Sequence, residues 1–300
     1  MRWRAVARVL RSPLDALGCV LYPTRCALCQ TPLPRFERAP VCEHCWAEIA
    51  REKSAVCHRC GDLSDLPAAS FSASEILCRT CRLAPPPFRR AVAYGPYEGR
   101  MRDAIRALKY DGLRPVAHRL GAMLALAMEK LDGEAPFALL VVPVPLHRAK
   151  HAQRGFNQAR LLAIAAIAAL RKQDSRWSLE LAPRTLLRQR ATETQAGLTP
   201  HQRRQNLRGA FAVADPSAVK AKKILLIDDI LTTGATAREA AVALRRAGAD
   251  EVWVATLARA HRLSDVSEQQ TTDAGPLPRI RWTEPDRRVR RDSLQDHPSF

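Results

Sequence analysis

Eight cysteines in four Cys-x-x-Cys pairs are the residues whose type and spacing first indicate chemistry. A two-residue spacer lets two thiolates of one turn face the same ion, and two such pairs complete a tetrahedral zinc site. Disulfide bonds and thioredoxin-like redox motifs are the alternatives; a cytosolic chain disfavours the first, and redox motifs do not usually come four in a row. Consecutive pairing predicts two zinc ions, bound by Cys26, Cys29, Cys42 and Cys45 and by Cys57, Cys60, Cys78 and Cys81.

Three other residues of this region are not expected to bind metal. With all eight sulfurs available, His44 and His58 are expected to face solvent. Cys19 is unpaired in an apolar run and is expected to be buried and inert. Roughly 60 residues cannot easily bury a stable core alone, so the metals are expected to serve folding rather than catalysis.

The segment 224–236 combines two carboxylates with small and hydroxyl-bearing residues. Asp228 and Asp229 are expected at the mouth of a buried strand, where they can accept hydrogen bonds from vicinal hydroxyls. The amides and hydroxyls that follow, at the start of a helix, can cradle a phosphate. These residues are Thr232, Thr233, Gly234, Ala235 and Thr236. An Asp-Asp pair alone would favour a loop or a metal site, but a phosphate and a diol one sugar apart describe a ribose 5-phosphate.

Alternating strands and helices must position this motif. Strands are predicted at 90–94, 138–144, 224–227 and 252–257. Helices are predicted at 100–109, 116–130, 157–170 and 236–247. This alternation indicates an α/β fold with a mostly parallel sheet, preceded by the cysteine-rich zinc-ribbon module. In such sheets, ligands bind at the carboxyl ends of the strands.

The composition divides the chain into four parts. Residues 1–25 predict an amphipathic helix, 26–84 a double zinc ribbon, and 89–262 the α/β domain. Three prolines at 85–87 mark a stiff boundary between the second and third parts. Residues 263–300 predict a disordered tail.

The charge of the chain is unevenly placed. The net charge is +18, of which +15 lies on residues 89–262, while residues 26–88 are neutral overall. This excess favours an acidic partner for the α/β domain, such as a phosphate, a nucleotide or a nucleic acid. The alternative is a solvated basic surface.

No part of the sequence predicts a segment that enters or crosses a membrane. No stretch approaches the roughly 18 consecutive apolar residues of a membrane span. Near the N-terminus, the apolar run of a signal peptide is interrupted by Arg8, Arg11, Pro13 and Asp15. The chain is therefore expected in the cytoplasm.

The segment 224–236 resembles the signature of the type I phosphoribosyltransferase fold, whose ligand is 5-phosphoribosyl 1-diphosphate (PRPP). The resemblance implies that Asp228 and Asp229 hold the ribose hydroxyls, that 232–236 hold the 5′-phosphate, and that Mg²⁺ accompanies the pyrophosphate. Further blocks precede it in order, at 108–112, 142–147, 154–158, 195–198 and 203–211. Together with the cysteine pairs, they resemble the ComF family of competence proteins, also called ComFC/GntX-like, over about residues 14–262.

The same resemblance suggests where the pyrophosphate is bound. The loop after the strand at 138–144 carries His147, Arg148 and Arg154, with Lys150 and His151 between them. Such cations suit a diphosphate leaving group, although each alone is more often a surface charge. Candidates in a mobile flap are Arg190, Thr192 and Gln195, with plain loop as the alternative. Lys109, at a helix end, is either a further ligand or a cap for the last carbonyls.

Three functions are compatible with these observations. The first, which the ComF resemblance implies, is a DNA-uptake protein that binds single-stranded DNA and works with competence machinery proteins, with Arg203, Arg204 and Arg208 as candidate DNA-binding residues. The second is an active phosphoribosyltransferase with an unidentified acceptor. The third is a PRPP-sensing module without turnover. The charge favours the first function, and the intact motif at 228–236 keeps the other two open.

Overall fold

The structure, a computed structural model, describes residues 24–34, 38–51, 55–63, 76–173, 176–190 and 207–260. Most of the predicted helix at 1–25 and the predicted tail at 263–300 lie outside these residues. Five residues singled out in the sequence also lie outside them: Cys19, Thr192, Gln195, Arg203 and Arg204.

A five-stranded parallel sheet forms the centre of the described fold. Its strands are β1 (Ala91–Pro96), β2 (Ala138–Pro143), β3 (Ser178–Leu181), β6 (Lys223–Leu231) and β7 (Glu251–Arg259). They pair in the order β1-β7-β6-β2-β3, and every pair is parallel. Two short strands, β4 (Leu186–Arg188) and β5 (Phe211–Val213), form a separate antiparallel pair. The long apolar runs of β2, β6 and β7 suit strands that are covered on both faces.

Among the described residues, two short helices lie in the cysteine-rich region, α1 (Glu43–Ala47) and α2 (Arg79–Leu83). The described part of the α/β domain has five: α3 (Gly99–Tyr110), α4 (Ala117–Met128), α5 (Arg148–Arg154), α6 (Gln158–Lys172) and α7 (Ala235–Arg246). The connections include short 3₁₀ turns at Arg114–Val116, Glu129–Leu131 and Pro216–Ala218. The side chain of Asn157 caps α6 by accepting from the amide of Arg160 at 3.3 Å.

The two faces of the sheet carry separate apolar cores. On one face, residues of α3, α4 and α6 pack on the sheet, and on the other face α7 and β5 do so. Helices α4 and α6 approach so closely that a Cβ at Gly121 would lie 2.2 Å from the Cβ of Ala165. The core under α4 and α6 also contains apolar residues of the first cysteine cluster, among them Val41, Trp46 and Ile49.

The elements follow the predicted pattern with one informative difference. Strand β6 continues to Leu231, whereas the apolar run predicts its end at Ile227. The extension carries both aspartates inside the strand, where Asp228 pairs in register with Thr256 of β7. A strand that stays hydrogen-bonded to the adjacent strand can include polar residues that face a site, because backbone pairing does not depend on side-chain polarity.

Candidate functional site

The eight paired cysteines form two separate clusters, each of four sulfurs that lie within 4.8 Å of one another. The first cluster brings Cys26 to 3.8 Å from Cys45 and Cys29 to 3.7 Å from Cys42. In the second, Cys60 lies 3.7 Å from Cys78. Four thiolates bound tetrahedrally at about 2.3 Å from zinc are about 3.8 Å apart, whereas disulfide sulfurs are about 2.05 Å apart. The geometry fits two structural zinc ions and confirms the consecutive pairing.

The two histidines within the pairs lie outside both ligand sets. His44 lies 3.4 Å from Glu48 on the surface of α1. His58 lies 3.1 Å from Glu134, which belongs to the α/β domain.

At the carboxyl end of the sheet, a cavity of about 180 Å³ opens between β6, the loop after β2 and the start of α7. Its charged and amide side chains come from four elements: Asp228 and Asp229 from β6, Lys109 from α3, Arg188 from β4 and Gln158 from α6. The remaining lining consists of Val144, Pro145, Leu146, Ile230, Thr232 and Thr236. The cavity therefore collects most of the motif at 228–236 together with the loop predicted to hold a pyrophosphate.

Lys109 and Asp229 form the closest ion pair of this cavity, with Nζ 2.5 Å from Oδ2 and both side chains largely buried. Burial lowers the pKa of Lys109 to about 8; Asp228 opposes this shift, while Arg154 and Lys150 add to it. The ammonium thus belongs to the site rather than to the last carbonyls of α3. Lys109 therefore has Asp229 in direct contact, Asp228 as a second nearby carboxylate, and two cationic neighbours.

Asp228 is the more accessible carboxylate of the pair. Burial raises its pKa to about 6, against the opposing effect of Lys109 and Arg188. Its Oδ1 accepts a hydrogen bond from the amide of Asp229 at 2.9 Å, which fixes the carboxyl group at the end of the strand. A hydroxyl-bearing ligand that donates to this carboxylate favours the ionised form.

The loop between β6 and α7 presents the start of a helix to the cavity. Gly234 adopts the left-handed conformation at φ +75° and caps the N-terminus of α7, a geometry that strains any residue with a Cβ. The hydroxyl of Thr233 accepts from the amide of Ala235 at 3.4 Å. The unpaired amides at a helix N-terminus and the helix dipole favour an anion.

The predicted cations of the loop after β2 are placed at different distances from the cavity. Arg154 donates to Gln158 at 2.6 Å, and Gln158 lines the cavity. His147 caps α5 by accepting from the amide of Ala149 at 3.3 Å. Arg148 is exposed on α5. Neither Arg148 nor His147 lines the cavity.

Two further predicted arginines lie together outside the cavity lining. Arg190 donates to the carbonyl of Arg208 at 3.0 Å, and both residues are exposed. This contact joins the residues that follow β4 to those that precede β5. Thr192, Gln195, Arg203 and Arg204 lie between them in the sequence and outside the described residues.

Arg188 and Gln158 are site residues that sequence reasoning did not single out. Arg188 packs over Phe211 at 5.6 Å, and burial lowers its pKa while Asp228 opposes the shift. A signal for Arg188 exists in the sequence, since it ends an apolar run at 186–187 as Asp228 ends the run at 224–227. Gln158 follows the helix cap Asn157, and only the fold brings it to the aspartates.

The chain matches two known domain families. Residues 17–82 match the double zinc ribbon domain, and residues 178–274 match the phosphoribosyl transferase domain. The sheet, the helices and the two four-cysteine sites agree with these matches.

Three relatives extend the likeness over most of the chain. "DNA utilization protein YhgH" of Escherichia coli K12 is 34% identical over 79% of this chain and 97% of its own. "Competence protein F" of Haemophilus influenzae is 30% identical over 73% of this chain and 96% of its own. "Competence protein ComFC" of Bacillus subtilis is 24% identical over 69% of this chain and 79% of its own.

Among solved structures, an allosteric regulatory enzyme of purine biosynthesis matches with 24% identity and a TM-score of 0.29. The match covers 48% of this chain and 26% of that one, and at this score it supports no conclusion. The two domain matches, in the same order as the two parts of the fold, and relatives aligned over nearly their full length place this chain in the ComF family.

Proposed function

We propose that this ComF-family chain binds PRPP with Mg²⁺ in the cavity at the end of β6. It also binds single-stranded DNA through its basic domain and takes part in DNA uptake with competence machinery proteins in the cytoplasm. In this proposal Asp228 and Asp229 hold the ribose hydroxyls, residues 232–236 hold the 5′-phosphate, and Mg²⁺ neutralises the diphosphate. The cations around the cavity, Lys109, Lys150, Arg154 and Arg188, hold that diphosphate.

The observation that carries the PRPP proposal is the electrostatic imbalance around the cavity. Burial lowers the pKa values of four neighbouring cations, and for Lys109 and Lys150 cationic neighbours add to the shift. These cations are Lys109, Lys150, Arg154 and Arg188. Two carboxylates balance only part of this charge, and a diphosphate would relieve the mutual repulsion.

Binding of PRPP with Mg²⁺ to the full-length protein, followed by calorimetry and by thermal protection, tests this assignment. The double change Asp228→Asn/Asp229→Asn should abolish binding, because the sugar diol loses its charged acceptors. Asp250→Asn, an exposed aspartate next to β7, is the matched control and should bind as the wild type does. Undiminished binding by the double variant would contradict the assignment.

The pH dependence of PRPP affinity tests the role of Asp228. Since the pKa of this carboxyl is about 6 in the free protein, affinity should be retained above this pH and should fall as the pH drops below it. Phosphate groups also titrate near 6, so Asp228→Asn is the control. This variant should bind PRPP more weakly, and its affinity should keep only the part of the pH dependence that comes from the phosphates. Identical pH profiles of the two proteins would show that Asp228 does not face the ligand.

Release of pyrophosphate separates two versions of the PRPP proposal. Turnover in the presence of candidate acceptors would make the chain a transferase. Binding without turnover across acceptor classes would make it a PRPP-sensing module.

The DNA part of the proposal rests on the charge of the α/β domain and on the relatives' names. Residues 89–262 carry +15, the cysteine-rich part is neutral, and aromatic residues make up 5% of the chain. Affinity should therefore come from phosphate contacts and counterion release more than from base stacking. The expected salt dependence is a slope of about −0.7 per phosphate contact for a single strand.

Charge reversal in the full-length protein tests where DNA binds. Changing Arg203, Arg204 and Arg208 to Glu should weaken binding of an oligonucleotide and flatten the salt slope, because phosphate contacts are lost. Changing three exposed arginines of the neutral part, Arg38, Arg79 and Arg82, to Glu is the matched control and should change binding little. Salt-independent affinity would contradict binding through phosphates, and a larger loss in the control would move the DNA site to the cysteine-rich region.

A further inference from the structure

A buried arginine joins the second cysteine cluster to the loop that opens the cavity. Arg259, the last residue of β7, is 3% exposed, and its guanidinium reaches three backbone carbonyls. It donates to the carbonyl of Leu231 at 2.7 Å, to that of Ala260 at 3.1 Å and to that of Thr232. Leu231 ends β6 and Thr232 begins the loop to α7, so this side chain fixes the point where the strand becomes the loop.

The carboxylate that faces Arg259 comes from the cysteine-rich region. Asp62 lies with Oδ2 3.1 Å from the Nη2 atom of Arg259, and the aspartate is itself buried. Its backbone carbonyl accepts from the amide of Cys57 at 2.6 Å, so Asp62 is part of the turn that carries Cys57 and Cys60. The second metal site and the cavity loop are therefore connected by a buried ion pair.

Electrostatics explains why this pair fixes the loop. A buried guanidinium without a carboxylate is strongly disfavoured, and it moves towards water or another partner. Among the residues that the structure describes, the other contacts of this guanidinium are with neutral carbonyls. Asp62 fixes the position and orientation of the guanidinium, and the planar fork of donors then holds the carbonyls in a fixed direction.

We propose that Arg259 is a positioning residue for the loop at 231–236 and that Asp62, anchored by the second zinc ribbon, holds Arg259 in place. The second ribbon thereby supports ligand binding. The role in ligand affinity rests on the proposed function, whereas the effect on the loop does not.

Amide hydrogen exchange of the full-length, zinc-loaded protein without PRPP tests the positioning role directly. In Asp62→Asn, amides within 231–236 should exchange about tenfold faster than in the wild type, because Arg259 loses its charged partner. Amides of β2 and α6 should be unchanged. Glu134→Gln is the matched control: it removes the contact of the same ribbon through His58 and leaves the loop untouched. Unchanged exchange at 231–236 in Asp62→Asn overturns the proposal.

A second variant approaches the loop from the domain side. Arg259→Lys keeps a cation but loses the planar fork that reaches several carbonyls, so it should speed exchange at 231–236 while the zinc content stays at the wild-type value. If Asp62→Asn loses zinc or fails to fold, this variant decides: the proposal stands on faster loop exchange and falls on unchanged exchange.

Affinity for PRPP with Mg²⁺ supplies the separate functional outcome. Asp62→Asn and Arg259→Lys should each weaken binding about tenfold, and Glu134→Gln should not. Wild-type protein that does not bind PRPP would contradict the proposed function and leave the exchange result to decide the positioning role. Wild-type binding with equal affinity in both variants would overturn the link to ligand binding and leave the proposed function intact.

Discussion

The two zinc ribbons have the same ligand set but contact the α/β domain in different ways. The first ribbon, built on Cys26, Cys29, Cys42 and Cys45, contributes Val41, Trp46 and Ile49 to the core beneath α4 and α6. The chain leaving it passes so close to β1 that a Cβ on Gly95 would lie 2.2 Å from the carbonyl oxygen of Ala50. Ion pairs of Arg100 with Glu48 and of Arg119 with Glu43 lie at the edge of this contact, and its buried centre is apolar.

The second ribbon, built on Cys57, Cys60, Cys78 and Cys81, is attached through polar contacts. Asp62 pairs with Arg259, and His58 lies against Glu134, which also binds Arg90. Its buried Ile76 belongs to neither of the two apolar cores of the described residues. One ribbon therefore continues the core of the domain, and the other connects a metal site to the cavity loop.

This difference shows that two zinc ribbons with the same ligand set can be attached to a neighbouring domain by different kinds of interaction. Apolar burial is non-directional and chiefly adds stability. A buried ion pair is directional, adds little net stability and fixes one group relative to another.

The largest expected effect separates the two metal sites. The wild type should contain two zinc ions per chain by metal analysis. Structural zinc contributes about 10–16 kcal/mol in small zinc domains, as much as the whole stability of a typical protein. Because the first ribbon shares the domain core, Cys45→Ser should abolish cooperative thermal unfolding. Cys81→Ser should lose one zinc and retain a folded domain.

Two results would break this contrast. If Cys81→Ser also abolished cooperative unfolding, the second ribbon would be part of the core in energetic terms. If Cys45→Ser lost one zinc and unfolded like the wild type, the shared apolar core would contribute little. Circular dichroism and zinc content of both variants at matched concentration distinguish these results.

A smaller effect on stability is expected when a buried apolar side chain of either ribbon is truncated. Trp46 is 5% exposed and lies in the shared core, so Trp46→Ala should lower the free energy of unfolding by about 3–5 kcal/mol. Ile76→Ala should loosen the second ribbon, with faster hydrogen exchange there and little change in the denaturation midpoint of the domain. Equal shifts of that midpoint would remove the distinction.

The sequence predicts the parts of this architecture that depend on local pattern. The cysteine spacing predicts both metal sites, because two thiols of one turn need no distant partner to be recognised. The apolar runs predict four strands of the parallel sheet, and the motif at 228–236 predicts the site at its carboxyl edge.

Contacts between distant segments are not predictable in this way. Asp62 and Arg259 are 197 positions apart in the sequence, and each alone resembles an ordinary surface charge. Gln158 and Arg188 likewise reach the cavity only through the order of the strands. The polar ends of β6 and β7 also hide the true length of these strands, since an apolar run marks burial and not backbone pairing.

The smallest expected effect concerns an exposed ion pair of the first ribbon. Arg119 of α4 binds both carboxylate oxygens of Glu43, and the same guanidinium lies over the ring of Trp46 at 5.1 Å. The pair looks like a link between ribbon and domain, but Glu43 is 79% exposed and water competes for both charges. Exposed pairs contribute about 0–1 kcal/mol, far less than the burial of Trp46.

Glu43→Gln should therefore lower the free energy of unfolding by less than about 1 kcal/mol and leave the zinc content unchanged. Chemical denaturation at low and high salt provides the measurement, because the small loss should shrink further as salt screens the pair in the wild type. A loss above about 2 kcal/mol would exceed what an exposed pair supplies. It would mean that charge also holds the first ribbon, so that the two ribbons differ in degree and not in kind.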